Sequence, residues 1–191
     1  MRFQLKILLL ASPVFLSGCV PVIVGGTMVA GGYTALRDKK IGDSLNDSKI
    51  DIAIKNRLYK IDHKLQSDVS AVADHGCVLL TGVVSNPEWV SVAEREVWAV
   101  SGVLEVNNHI TVGEFSASQL VKDDYLTTAC KTALLCNKEI RSVNYKIKTY
   151  DSVVYVLGIA RTDEELKIVL TNVQKVKGVK KVVSYVKLLN G

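Results

Sequence analysis

Proline and aromatic residues are sparse in this chain, with three prolines and 6% aromatics in 191 residues. No heptad array runs through it either, so collagen-like and coiled-coil classes are excluded. Four cysteines are too few for a disulfide scaffold. The three histidines, His63, His75 and His109, are not spaced as a two-histidine metal site, and no metal ligand set is assigned. A Gly-x-Ser-x-Gly elbow, a phosphate loop and a dinucleotide fingerprint are all missing. The acidic pairs Asp123-Asp124 and Glu164-Glu165 read as helix starts that complement the dipole, and no catalytic residue is assigned. With 48% apolar and 23% charged residues, the chain has the balance of one ordinary folded domain or two small ones. A net charge of +5 is too modest to point to nucleic acid.

Arg2 and Lys6 precede an apolar run, Ile7 to Phe15, that ends in Leu16-Ser17-Gly18-Cys19. Charge, apolar stretch and small residues in that order form an export signal, and the run is too short to span a bilayer. The Leu-Ser-Gly-Cys quartet resembles the lipobox of bacterial lipoproteins, which implies cleavage after residue 18 and a diacylglycerol and an N-acyl chain on Cys19. Two chains suffice for stable anchoring, at about 0.8 kcal/mol per buried methylene. Val20, rather than Asp, follows the cysteine; by resemblance to enteric sorting rules this implies the outer membrane, facing the periplasm. Such a location removes nucleic acid and nucleotide cofactors from the expected partners, and no cofactor beyond the covalent lipid is expected. Loss of Arg2 and Lys6 leaves a mature net charge of +3.

Residues 19–46 read as a linker, with Gly pairs at 25–26 and 31–32 inside an apolar stretch from Val20 to Tyr33. It is either a flexible tether or a small-residue segment that lies on the bilayer or packs through its glycine faces. From Ser48 onward the chain aligns with itself at an offset of 76, without gaps. Identities include Ala53/Ala129, Leu58/Leu134, Gly82/Gly158, Gly102/Gly178 and Val106/Val182. The period exceeds that of solenoid repeats, so two copies of one small domain are expected, at 47–115 and 122–191.

Each copy reads as helix, strand, strand, helix, strand, an α+β class. Ile50, Ala53, Ile54 and Leu58, and in the second copy Leu126, Ala129, Cys130, Ala133 and Leu134, share one helical face. Val69, Ala71 and Ala73, and likewise Tyr145, Ile147 and Thr149, alternate as strands do. Cys77 to Val84 and Val153 to Ala160 are apolar on both faces, as central strands are. Asn86 before Pro87, and Thr162 with Glu165 as a capping box, mark the second helices. Gly102 and Gly178 end them in the left-handed cap conformation, whereas Gly82 and Gly158, mid-strand, imply close approach of a helix or of the other domain. Copies of this size sit near the lower limit for independent folding, so they are expected to touch.

Copy one carries Gly76, Val78, Leu80, Gly82 and Val84, then Gly102, Val103, Val106, Asn108 and Ile110. This run resembles the signature of the BON domain; copy two matches at Val154, Gly158, Gly178, Val179 and Val182 but has Ser152, Val156 and Ser184 at three signature places. With lipobox and linker, the whole chain is similar to the dual-BON outer-membrane lipoproteins of the DolP type. That resemblance implies αββαβ domains, each a three-stranded mixed sheet with two helices on one face. It also implies a non-enzymatic protein that maintains outer-membrane integrity, gathers at division sites and binds anionic phospholipid through its second domain. The implied lipid contact is the helix opening the second domain, Tyr125 to Leu135 here; Tyr125 is expected at the headgroup level, as interfacial aromatics are, and Lys122, Lys131 and Lys138 are expected to meet phosphates.

Charge points the same way: residues 48–112 carry −2, whereas 122–191 carry +6. Each basic residue near an anionic surface contributes about 1 kcal/mol. An ordinary solvated helix face is the bland alternative. A second reading is a periplasmic adaptor for an outer-membrane assembly, division or cell-wall factor, motivated by the outward apolar residues Leu79, Val83, Tyr155 and Ile159. Cys77 and Cys130 read as small core residues. Cys136, six residues past Cys130 on the same helix, cannot pair with it, and a Cys77 disulfide stays open in an oxidising periplasm.

Overall fold

Apolar residues at helical spacing build the first layer of each copy in the computed structural model, which describes residues 41–189. The signal, Cys19 and most of the linker lie outside the described residues. Copy one comprises α1 (Ile41–Ile61), α2 (His63–Asp68), β1 (Val69–Asp74), β2 (Cys77–Val84), α3 (Glu88–Trp98) and β3 (Glu105–Val112). Copy two comprises α4 (Ala117–Leu135), a 3-10 turn (Ser142–Asn144), β4 (Tyr145–Tyr150), β5 (Val153–Ala160), α5 (Asp163–Gln174) and β6 (Lys181–Leu188). In each sheet the central strand pairs antiparallel with the first and parallel with the third. The repeat extends to single hydrogen bonds. Leu104 N donates to Gly76 O, and Lys180 N to Ser152 O, both at 2.9 Å.

One face of each sheet packs on its own helices. Ile50, Ile54, Leu58, Val78, Leu80 and Val97 centre the first core, and Cys130, Leu134, Val154, Val156, Val169 and Val173 the second. The opposite faces pack on each other through Cys77, Leu79, Tyr155 and Leu157, so the order of layers is helix, sheet, sheet, helix. Leu79 is 0% and Tyr155 5% exposed, while Val83 and Ile159 are half-buried. The apolar second face that suggested an adaptor surface is therefore largely the contact between the two copies. Burial of these side chains, at about 25 cal/mol per Å² of apolar surface, joins two units that are each close to the minimum size for folding.

Both leading helices start earlier than the sequence boundaries, α1 at Ile41 within the expected linker and α4 at Ala117, where Ser116 Oγ caps Gln119 N at 3.4 Å. Thr162 Oγ1 caps Glu165 N at 3.1 Å as expected. The reciprocal half of the capping box is not made. Glu165 is buried and accepts from Arg161 N at 3.0 Å, Arg161 Nε at 2.8 Å and Arg141 N at 2.9 Å. Although burial opposes its charge, those donors hold its carboxyl below the usual range.

The four glycines singled out by the repeat have steric roles that differ from the expectation in detail. A Cβ at Gly82 would lie 2.1 Å from Asp68 O, and one at Gly158 2.2 Å from Asn144 O. The close approach is thus to the helical turn entering the copy's own first strand, not to the other domain. Gly102 and Gly178 have φ of 91° and 104°, but they close an extra turn beyond the helix ends at Trp98 and Gln174. There they face Ile50 and Leu126, equivalent residues of the two leading helices.

Candidate functional site

The leading helix of copy two turns Leu126, Cys130 and Leu134 inward, and this fixes what it turns outward. At about 100° per residue, Val121, Tyr125, Thr128, Thr132 and Leu135 fall within one narrow sector on the opposite side. Val121, Tyr125 and Leu135 are 69%, 68% and 71% exposed. Lys122 and Lys131 flank that stripe on its two sides, and Lys138 follows the helix; all three are exposed. None of them takes part in a salt bridge among the described residues. Elsewhere in copy two, Arg161, Lys180, Lys146 and Lys187 are engaged with Glu165, Asp151, Asp74 and Glu105. The helix thus presents an apolar ridge between unpaired ammonium groups, an arrangement suited to lying at a charged interface. Phe115 and Leu120, which sequence reading left out, extend the exposed apolar surface toward the inter-copy linker. For Leu120 the signal was the Ser116 cap, which starts the helix ahead of it at Ala117; Phe115 lies just before the cap. No described helix is long and apolar enough to cross a membrane.

The same helix performs a second task through Asp123. Rather than complementing a helix start, Asp123 is buried and accepts from Asp151 N and Ser152 N, each at 2.8 Å, at the tip of the β4–β5 hairpin. Gln119 Nε2 bridges Asp123 at 2.9 Å and Ser152 Oγ at 3.1 Å. In copy one, Asp47 on α1 accepts from His75 N at 3.0 Å and Gly76 N at 3.2 Å. The two aspartates stand 76 apart, one residue ahead of the aligned window, so the signal was present in the sequence.

Asp47, Asp74 and His75 form the one convergence of potential metal ligands among the described residues, with ligand atoms within 4.8 Å of one another. The two carboxylates and His75 Nδ1 are already engaged, while His75 Nε2 is buried without a hydrogen-bond partner. Asp47 holds the hairpin amides, and Asp74 holds His75 Nδ1 at 2.8 Å and faces Lys146 at 3.6 Å. His63 stacks on Tyr59, and His109 Nε2 lies 2.6 Å from the Tyr185 hydroxyl. The three described cysteines are free; Cys77 lies between the sheets and Cys130 in the second core, and burial pushes both thiols up to about 11, so neither is a thiolate.

Fold, repeat and hairpin clamp define a tandem pair of α+β modules stacked sheet to sheet. The chain belongs to the BON-domain family as a dual-BON protein of the DolP type, its residues 46–114 and 122–190 each matching the BON domain. It is 31% identical over 185 residues to the outer membrane lipoprotein DolP of Haemophilus influenzae, covering 96% of this chain and 95% of that one. An uncharacterized protein in the gshII 5' region of Anaplasma centrale is 38% identical over 146 residues, 75% of this chain and 95% of its own. A 21 kDa hemolysin of Actinobacillus pleuropneumoniae is 30% identical over 154 residues, 78% of each chain.

Proposed function

We infer that this chain is a non-enzymatic outer-membrane lipoprotein, held by acyl chains on Cys19 and facing the periplasm, whose second BON domain binds anionic phospholipid through α4. In that role it helps maintain outer-membrane integrity, with a place at division sites. One observation carries the lipid reading: the exposed ridge of Val121, Tyr125 and Leu135 between the unpaired Lys122 and Lys131, in a domain of net charge +6. A tethered domain stays within a Debye length of the surface, so modest charge is sufficient for adsorption. The relative named as an outer membrane lipoprotein supports the anchor and the compartment.

Vesicle flotation of the mature chain carrying Cys19→Ser tests the lipid contact without the anchor masking it. Recovery with phosphatidylglycerol vesicles well above that with phosphatidylcholine vesicles is expected; equal recovery would overturn the reading. Mass spectrometry of the native N-terminus tests the anchor separately, through the added mass on Cys19.

A further inference from the structure

The offset that relates the repeats also relates the two sheets across their interface. Positions 109 and 185 are repeat equivalents, and they meet each other, His109 Nε2 against the Tyr185 hydroxyl. Contact between equivalents marks an approximate twofold axis, so each feature at one end of the interface has a counterpart at the other. At one end the Lys146 side chain enters a notch between the two sheets, 27% exposed, donating to the Ala73 carbonyl and standing 3.6 Å from the Asp74 carboxylate. Exchanging the copies converts Lys146 to Ser70, Ala73 to Thr149 and Asp74 to Tyr150. Those three residues line an open cavity of about 540 Å³ at the opposite end. The twin notch is the same recess with its lysine replaced by a serine.

The remaining walls set the character of an occupant. Val83, Val112, Phe115 and Leu120 supply an apolar side, and Thr111, hydrogen-bonded to Tyr150, supplies a polar one. Asp68, Glu114, Asp123 and Asp151 line the cavity against the single ammonium of Lys148. Asp123 is engaged with the hairpin, and Asp68 and Asp151 are shared with Lys64 and Lys180, at 3.2 and 3.1 Å, which leaves the exposed Glu114. The volume is that of a ligand pocket. Carbonyl, hydroxyl and carboxylate acceptors suit a donor-rich cation, because a buried ammonium or guanidinium requires hydrogen-bond acceptors. They do not suit a phosphate, which would meet more carboxylates than ammonium groups.

We propose that this inter-sheet cavity binds an extended basic segment of a partner protein. A lysine or arginine of the segment takes the place that Lys146 fills in the twin notch, and its apolar neighbours lie along Phe115 and Leu120. The site adjoins the outward surface of α4 through Phe115 and Leu120, but Ser70, Thr111, Thr149 and Tyr150 lie on strands away from that helix, and the proposal does not depend on lipid binding.

The test uses the mature chain carrying Cys19→Ser, isotope-labelled for NMR, with the peptide Leu-Lys-Val-Lys-Phe as probe and Leu-Glu-Val-Glu-Phe as its matched control. The basic peptide is expected to move the amide signals of Ser70, Thr111 and Tyr150, and the acidic one to leave them in place. Ser70→Lys, which installs the twin's own occupant, is expected to weaken peptide binding by about tenfold or more while keeping a folded spectrum and unaltered vesicle adsorption. Ser70→Ala keeps the peptide. Equal shifts with both peptides, no shift at the cavity, or unchanged binding by folded Ser70→Lys would each overturn the proposal.

Discussion

The two BON domains solve the same hairpin differently. In copy one the turn is His75-Gly76, with Gly76 at φ 74°, where glycine carries no steric cost. In copy two it is Asp151-Ser152, and Ser152 holds φ 62° although it is not glycine. What the copies share is the buried aspartate of the leading helix, accepting both turn amides. The clamp, rather than the glycine, is the common requirement. A second contrast lies at the third strand. Asn108 donates to Val90 O at 3.3 Å and Glu94 Oε2 at 2.9 Å and accepts from Ile110 N at 3.1 Å, tying β3 to α3. Its equivalent Ser184 accepts only from Val186 N, and a shallow recess opens between Leu170, Val182 and Ser184. The fold therefore survives replacement of both the signature glycine and the signature asparagine.

The largest way to break the symmetry is to empty the contact the copies share. Tyr155→Ala is expected to destabilise by about 3 to 4 kcal/mol in urea unfolding, with a strongly non-additive effect when combined with Leu79→Ala. Next comes the clamp. Asp123→Ala strands two amides and is expected to cost about 3 kcal/mol, more than Asp47→Ala, because copy one has glycine to relieve its turn. Ser152→Gly is expected to stabilise by up to about 1 kcal/mol and to narrow that gap; an unchanged gap would mean that turn strain is not the difference.

A smaller effect comes from pH. Burial, and then Lys181, hold His109 below its ordinary value. The unfolded chain therefore takes up this proton first, so the contribution is complete above about pH 6.5 and declines as pH falls below it. Denaturant midpoints measured at about pH 7.5 and 5.5 should diverge, and His109→Gln should reduce the divergence.

Much of this architecture was legible in the chain. Ile50, Ile54 and Leu58 on one face, and Val69 and Ala73 in alternation, announced their elements because burial imposes the periods 3.6 and 2. The run Cys77 to Val84 showed that both faces of β2 are covered but not by what, since apolarity has no address. Leu79 and Tyr155 therefore read equally well as a partner surface. Asp123 was misread because a carboxylate near a helix start complements the dipole whether or not its side chain reaches a distant turn. The cavity lined by Ser70 and Tyr150 depends on how the sheets stack, which no local pattern encodes. Tyr125, Leu135, Lys122 and Lys131 were singled out by resemblance, and the helix adds Val121 to them.

Apolar exposure alone does not separate the copies, since α1 also presents Ile52 and Tyr59 to solvent. Charge does, at −2 against +6. Lys55 and Lys131 occupy equivalent places on the two leading helices, and both are exposed. The direct test is adsorption of the mature Cys19→Ser chain to phosphatidylglycerol vesicles after reversing each in turn. Lys131→Glu is expected to weaken adsorption by roughly tenfold or more, from about 1 kcal/mol per charge, while Lys55→Glu changes it less than about twofold. Equal losses from the two variants, or none from Lys131→Glu, would contradict a membrane contact made by the second domain.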